Sequence, residues 1–241
     1  MLYSHPRIYD ELYDNFTEDI PFYLKLARES EGPVCELACG SGRVTVPLAE
    51  AGVTVTGIDL EPAMIEAARL RAARAGLGPG NPSFFTGDMS DPLPGTFSLV
   101  IVPLHSLSHL TETSRVRRCL ENIQGALSPG GALALAVHAP DPALLARDPE
   151  GLFPVTMAGQ EVPIFESSRY DPLAQVLSVR WWAEGEDSLE PFDFSLRMFF
   201  PEELMVLLES AGFYIRDRFG WYDGAPLTGE SGTQILVATR A

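Results

Sequence analysis

Residues 36–43 read Glu36-Leu37-Ala38-Cys39-Gly40-Ser41-Gly42-Arg43, after the apolar Val34-Cys35 and before an amphipathic run from Val44. This pattern predicts a strand that ends in a tight glycine turn and opens a helix. Glycine leaves no side chain over the backbone, so the N–H groups of such a turn can face a ligand. A dinucleotide turn would read G-x-G-x-x-G, but Thr45 stands where the third glycine belongs. A phosphate-cradling P-loop needs Gly-Lys-Ser/Thr, which is absent. The Glu36 carboxylate would repel a pyrophosphate and suits a ligand carrying a positive charge or a free amine.

The whole chain narrows the function further. It has 241 residues, enough for one domain with a modest insertion, and 46% hydrophobic residues, ample for a core. Its 33 acids against 17 bases give a formal charge of −16, which disfavours a nucleic-acid partner. The same field serves solubility and would help a cationic substrate. The N-terminal MLYSHPRIYDELYD shows neither a basic nor an apolar leader region, and no apolar run approaches a membrane span. Cys35, Cys39 and Cys119 lack metal-ligand spacing, so a reduced, cytoplasmic setting is expected and the cysteines pack as small residues.

Strand and helix patterns alternate up to His138. Helical spacing covers residues 7–30, then strands are predicted at 34–38, 53–58, 83–85, 98–102 and 132–137. Helices are predicted at 44–51, 62–75 and 115–127, and Pro129-Gly130-Gly131 reads as a turn. This order implies α/β architecture, a parallel sheet built from right-handed crossovers. Ligands of such sheets bind beyond the carboxyl ends of the strands, where strand order reverses. The alternation breaks after His138. Seven prolines and the alternating runs 160–169 and 175–182 predict an inserted antiparallel sheet, with Tyr170-Asp171-Pro172-Leu173 as a hairpin connection. A proline-started helix at 201–211 and two final strands, 213–219 and 234–239, complete the pattern.

Two further strand ends carry acids. Gly57-Ile58-Asp59-Leu60 places a carboxylate where it can accept from ribose hydroxyls, although Asp59 also suits a cap for the helix after Glu61. Met64 in that helix is a candidate apolar contact for a nucleoside. Gly87-Asp88-Met89 closes the next strand, with Asp88 also a natural turn-former and Met89 a natural core residue.

Taken together, VCELACGSGRVTVPLAEAG, VTGIDLEPAMIEAAR, FTGDMSDPLPGTFSLVIVPLHSLSHL, LSPGGALALAVHAP and MFFPEELMVLLESAGF, with YDELYD upstream, resemble the small-molecule class I S-adenosylmethionine (SAM)-dependent methyltransferases of the methyltransferase domain 25-like type. The resemblance implies a Rossmann-like, mostly parallel seven-stranded sheet of order 3-2-1-4-5-7-6 with strand 7 antiparallel. Residues 1–139 and 198–241 would form the SAM-binding domain, and 140–197 would form the insertion covering the acceptor. It further implies that Ala38, Gly40 and Gly42, with Glu36 nearby, hold the methionine portion. Asp59 and Leu60 would bind the ribose, Asp88 and Met89 the adenine, and the Pro103 carbonyl would face the ammonium. Tyr9 or Tyr13 would close over the cofactor, and Arg43 would pair with its carboxylate.

Methyl transfer needs in-line alignment and exclusion of water; a hydroxyl acceptor also needs a base or a metal. His138 and His105 stand at the ligand rim and are the candidate bases, whereas His109 is expected to pack or cap the following helix. No ligand spacing for a catalytic metal is present. Tyr170, Trp181, Trp182 and Arg197 of the insertion, with Trp221 and Tyr222, are the candidate acceptor wall, suited to a ring or a cationic amine. The adjacent tryptophans cannot both face it, because alternate strand residues point to opposite sides. The expectation is therefore a cytoplasmic enzyme, monomer or homodimer, methylating N or O of a small molecule, with amine or amino-sugar acceptors preferred. A non-catalytic SAM-binding regulator is the alternative. An NAD-linked oxidoreductase is disfavoured by Thr45, Glu36 and the lack of a Tyr-x-x-x-Lys pair.

Overall fold

The computed structural model describes residues 2–145, 150–157, 160–183 and 191–240. Its main sheet carries β1 (Val34–Leu37), β2 (Val55–Asp59), β3 (Ser83–Thr86), β4 (Phe97–Val102) and β5 (Leu127–His138). The last two strands, 213–219 and 233–240, form an antiparallel hairpin at one edge, and the second of them runs antiparallel to β5. The other pairings are parallel, and β1 lies between β2 and β4. The chain thus winds outward from β1 in one direction and then restarts beside it at β4. That reversal opens the crevice beyond the ends of β1 and β4.

Burial on both faces explains the near-continuous apolar strands. On one face Val100, Val102, Leu133, Leu135 and Val137 join a core with α5 (Thr113–Ala126) and the helix at 201–210. On the other, Leu99, Ile101 and the alanines 132, 134 and 136 meet Tyr23, Leu26 and Ala27 of α2 (Ile20–Ser30). The period-2 alternation of a strand assigns each residue to its side. The small alanine side chains of β5 leave room for the Tyr23 ring, which is fully buried.

The segment 7–30, read as one or two helices, is two, α1 (Pro6–Tyr13) and α2, each with proline in its first turn. Two details differ from the sequence expectations. The glycine-turn helix, α3, is short, at Thr45–Glu50. Pro129-Gly130-Gly131 is no free turn but lies within β5, where the register with β4 skips from Phe97↔Leu127 to Leu99↔Ala132. A Cβ on Gly131 would come within 2.9 Å of the Ser128 carbonyl oxygen, so this irregularity needs glycine.

The remaining helices in chain order are α4 (Pro62–Arg74), which connects β2 to β3, α6 (Pro142–Leu145), and α7 (Pro201–Ser210). A second, four-stranded antiparallel sheet holds β6 (Glu150–Met157), β7 (Gln160–Asp171), β8 (Val176–Ala183) and β9 (Phe192–Arg197) in that order. The β7–β8 hairpin turns at Pro172–Gln175, where Asp171 Oδ1 accepts the Leu173 and Ala174 N–H groups. The edge hairpin is β10 (Phe213–Phe219) with β11 (Thr233–Arg240). Strand β9 packs on the single-turn helix Ser106–His109, which sets the small sheet over the carboxyl ends of β4 and β5.

Candidate active site

The glycine turn is built by backbone conformation. Ala38 and Gly40 both have φ near +54°, and Gly42 has φ +84°. A Cβ on Gly40 would lie 3.3 Å from the Tyr9 ring, so the lid of α1 can sit directly on the turn only if residue 40 is glycine. The turn is clamped from the neighbouring strand. Asp59 accepts the Gly40 N–H at 2.8 Å through one oxygen and the Glu61 N–H at 2.9 Å through the other. The capping and the ligand-facing roles proposed for Asp59 are therefore compatible. Burial raises its pKa, against the two backbone hydrogen bonds that lower it.

A cavity of about 380 Å³ opens at this point, lined by Ala38, Gly40, Asp59, Leu60, Asp88 and Met89. Tyr9 and Tyr13 of α1 complete it, their ring centroids 4.8 Å apart. These residues fit SAM: a tight turn of exposed backbone, an acid at the end of β2 for a ribose, an apolar-plus-acidic pair after β3 for a base, and an aromatic cover. Asp88 already accepts from Ser90 N and Oγ and from Arg115. Burial alone would raise its pKa, but these bonds and the charges of Arg115 and Arg118 lower it, so it is ionised.

A second cavity of about 510 Å³ adjoins the first. Its floor is His105 and His138, stacked with centroids 3.6 Å apart, and its far side is Phe16, Trp221 and Tyr222. Its roof comes from one face of the small sheet: Glu166, Leu177, Val179, Trp181, Phe194 and Leu196. Burial lowers the pKa of both floor imidazoles, and the proximity of His138 lowers His105 further, so both are neutral at physiological pH.

The residues common to both cavities include Tyr3, Tyr13 and His109. Tyr3 Oη lies 2.8 Å from His109 Nε2. Burial, and then the nearby His138, pushes the His109 imidazole down to about 4. His109 is thus a neutral group at the junction, its ring packed edge-on against Tyr3 with centroids 5.2 Å apart. Tyr3 and Glu166 also escaped sequence reasoning; Tyr3 had a signal in the aromatic N-terminal segment, Glu166 only in the alternation of 160–169.

Several expected site residues lie elsewhere. Arg43 does not face the cavity. It forms a bidentate pair with Asp19 at 2.6 and 2.7 Å and donates to the Phe16 carbonyl at 2.6 Å. Both partners are buried, so removing Asp19 would leave an unpaired buried guanidinium. Asp19→Ala is expected to lower stability by about 3–5 kcal/mol, measured by chemical denaturation.

Gly42 serves packing. A Cβ there would lie 3.2 Å from Val46 and 3.3 Å from Ala68, so it lets α4 approach the turn. Met64 is 1% exposed and packs in the interior. The Pro103 carbonyl is taken by Ser106, whose Oγ donates at 2.7 Å. Trp182 stacks on Phe165 on the opposite face of the small sheet from Trp181. Arg197 is buried against Glu203 and Thr113, each at 2.6 Å. Tyr170 shares the register of the inward face, opposite Leu177, but lies past the cavity edge.

Glu36 is the most informative correction. Its side chain is buried, bound by the Thr45 hydroxyl, and outside the cavity lining. Burial raises its pKa from 4.5 to about 8, against the lowering effects of Thr45 and Arg43. It is therefore protonated in the fold up to about pH 8 but ionises near 4.5 in the unfolded chain. This burial costs stability progressively as pH rises through that window. Glu36→Gln keeps an oxygen for Thr45 and removes the cost. Its thermal midpoint should exceed that of the parent by a margin that grows from pH 5 to pH 8, reaching roughly 5–10 °C.

Residues 34–131 match the family model described as Methyltransferase domain. YqeM of Bacillus subtilis (strain 168) is 30% identical over 139 residues, 54% of this chain and 53% of that protein. A ubiquinone biosynthesis O-methyltransferase of Pseudomonas aeruginosa (strain LESB58) is 29% identical over 103 residues, 43% of each chain. The chain spans about half the length of the curated relatives it matches. Among solved structures, the CcbJ methyltransferase from Streptomyces caelestis superposes with a TM-score of 0.80 at 26% identity, covering 93% of this chain and 89% of its own. SAM-bound CalS10, an amino pentose methyltransferase from Micromonospora echinaspora, superposes at 0.73 with 23% identity and 97% coverage of each. Among the described residues, no helix is long and apolar enough to cross a membrane, and no three His, Cys, Asp or Glu side chains are grouped to hold a metal.

Proposed function

We propose that this chain, which belongs to the class I S-adenosylmethionine-dependent methyltransferases and takes SAM as its cofactor, transfers a methyl group to a nitrogen or oxygen of a small acceptor. The observation that carries the reading is the junction of two cavities, one lined by the strand-end acids and glycine turn, the other by aromatics and histidines. Nitrogen is the favoured atom. The similar structures named above include an amino pentose methyltransferase, and the net charge of −16 draws cations.

When bound, SAM supplies a methyl group made electrophilic by its sulfonium. Ala38, Gly40, Asp59, Leu60, Asp88 and Met89 would hold it. Tyr9 and Tyr13, their rings tilted against each other over the turn, would exclude water from the reacting centre. The acceptor sits beneath the four-stranded sheet, which acts as its roof, and is aligned toward the junction. There the Tyr3–His109 pair receives the proton that the acceptor gives up. His109 is neutral above about pH 5, so it is in the accepting state under cellular conditions. The proposed setting is the cytoplasm, with no nucleic-acid or membrane partner.

The test is turnover on a panel of primary amines, amino sugars and phenols, read as S-adenosylhomocysteine (SAH) formed. Amine turnover supports the reading. Tight SAM binding with no turnover across the panel would favour a SAM-binding regulator instead.

A further inference from the structure

The second cavity is chemically lopsided. Among the described residues that line it, Glu166 is the sole carboxylate, and no lysine or arginine joins it. Apolar Leu177, Val179, Phe194 and Leu196 surround it on the same sheet face, and Trp221 and Tyr222 stand across the space. Glu166 is held in place by its register partner: the Trp181 indole N–H donates to Glu166 Oε2 at 2.6 Å. A partly buried carboxylate in an apolar surround favours one kind of occupant, a cation that restores the lost hydration.

We infer that Glu166 reads the charge of the acceptor, so that the acceptor is a cationic amine carried on an apolar ring or chain. The inference rests on the transferase reading and adds the substrate class. Trp181 and Trp221 line the same cavity, and aromatic rings there give the same preference through cation–π attraction. The effect of Glu166 already extends across the cavity, since after burial it is the group that raises the Tyr13 phenol pKa. Glu166 is a specificity residue in this account, because charge recognition acts on binding while alignment and proton transfer act at the junction.

The test uses the full chain saturated with SAH, with loading verified by calorimetry. Cyclohexylamine, cyclohexanol and cyclohexanecarboxylate share one apolar body and differ in charge. Their affinities are measured by ligand-observed NMR for the parent and for Glu166→Gln, whose amide oxygen still accepts from Trp181. Cyclohexylamine should bind the parent about tenfold tighter than cyclohexanol, with the carboxylate weakest. Glu166→Gln should erase that advantage and leave cyclohexanol unchanged. Equal affinity of the amine and the alcohol for the SAH-loaded parent would overturn the inference and leave the transferase reading standing. So would an equal loss of amine and alcohol binding in the variant, the mark of a purely structural carboxylate. Failure of SAH to load would overturn both.

Discussion

Asp59→Ala is expected to weaken SAH binding by about a hundredfold or more, enough to erase the thermal shift that SAH gives the parent at modest excess. Two losses combine in this substitution. The Gly40 and Glu61 N–H groups lose their shared acceptor, so the turn that faces the ligand is no longer fixed by the end of β2. The cavity also loses the carboxylate proposed to receive the ribose hydroxyls, and a hydrogen bond to a charged group is worth about 1.5–3 kcal/mol. Asp59→Asn separates the two contributions. It keeps one oxygen for a backbone N–H but removes the charge, and should fall between alanine and the parent. The measurement is thermal denaturation with and without SAH, since a ligand that binds only the native state raises its stability with concentration. A full SAH shift in Asp59→Ala would contradict the assigned role.

His109→Ala is expected to lower kcat by about a hundredfold while leaving SAH affinity unchanged. Tyr3→Phe removes the hydroxyl 2.8 Å from His109 Nε2 and should move kcat in the same direction by a smaller factor. The pH profile distinguishes proton transfer from packing. With the imidazole pushed down to about 4, the parent should show no acid limb near the ordinary histidine value of 6.5 and should stay level from pH 6 to 8 as far as this group is concerned. Steady-state kinetics on an amine acceptor across that range checks both points. An unchanged kcat in His109→Ala would return His109 to the packing role that its sequence position implied.

The lining of the first cavity was legible because its determinants are local. Ala38 to Gly40, Asp59 with Leu60, and Asp88 with Met89 each directly follow a strand, so the strand pattern alone places them at one rim. The exceptions have partners within the protein. Arg43 finds Asp19, 24 residues earlier, and Glu36 finds Thr45 on α3. Nothing in the motif distinguishes an acid that meets a ligand from one that meets a buried hydroxyl. The lining of the second cavity was less legible, because it depends on which face of the small sheet turns inward. The alternation Leu177, Val179, Trp181 holds that answer in retrospect, since the tryptophan in phase with two apolar residues is the one in the cavity. Tyr3 and His109 lie 106 residues apart and meet where the turn Leu2–Ser4, just before α1, lies against the rim.

The central claim is that the crevice beyond β1 and β4 holds SAM. Isothermal titration of SAM and of SAH into the purified chain tests it most directly. One site per chain with micromolar affinity for both is the predicted result, and no detectable heat with either would contradict it.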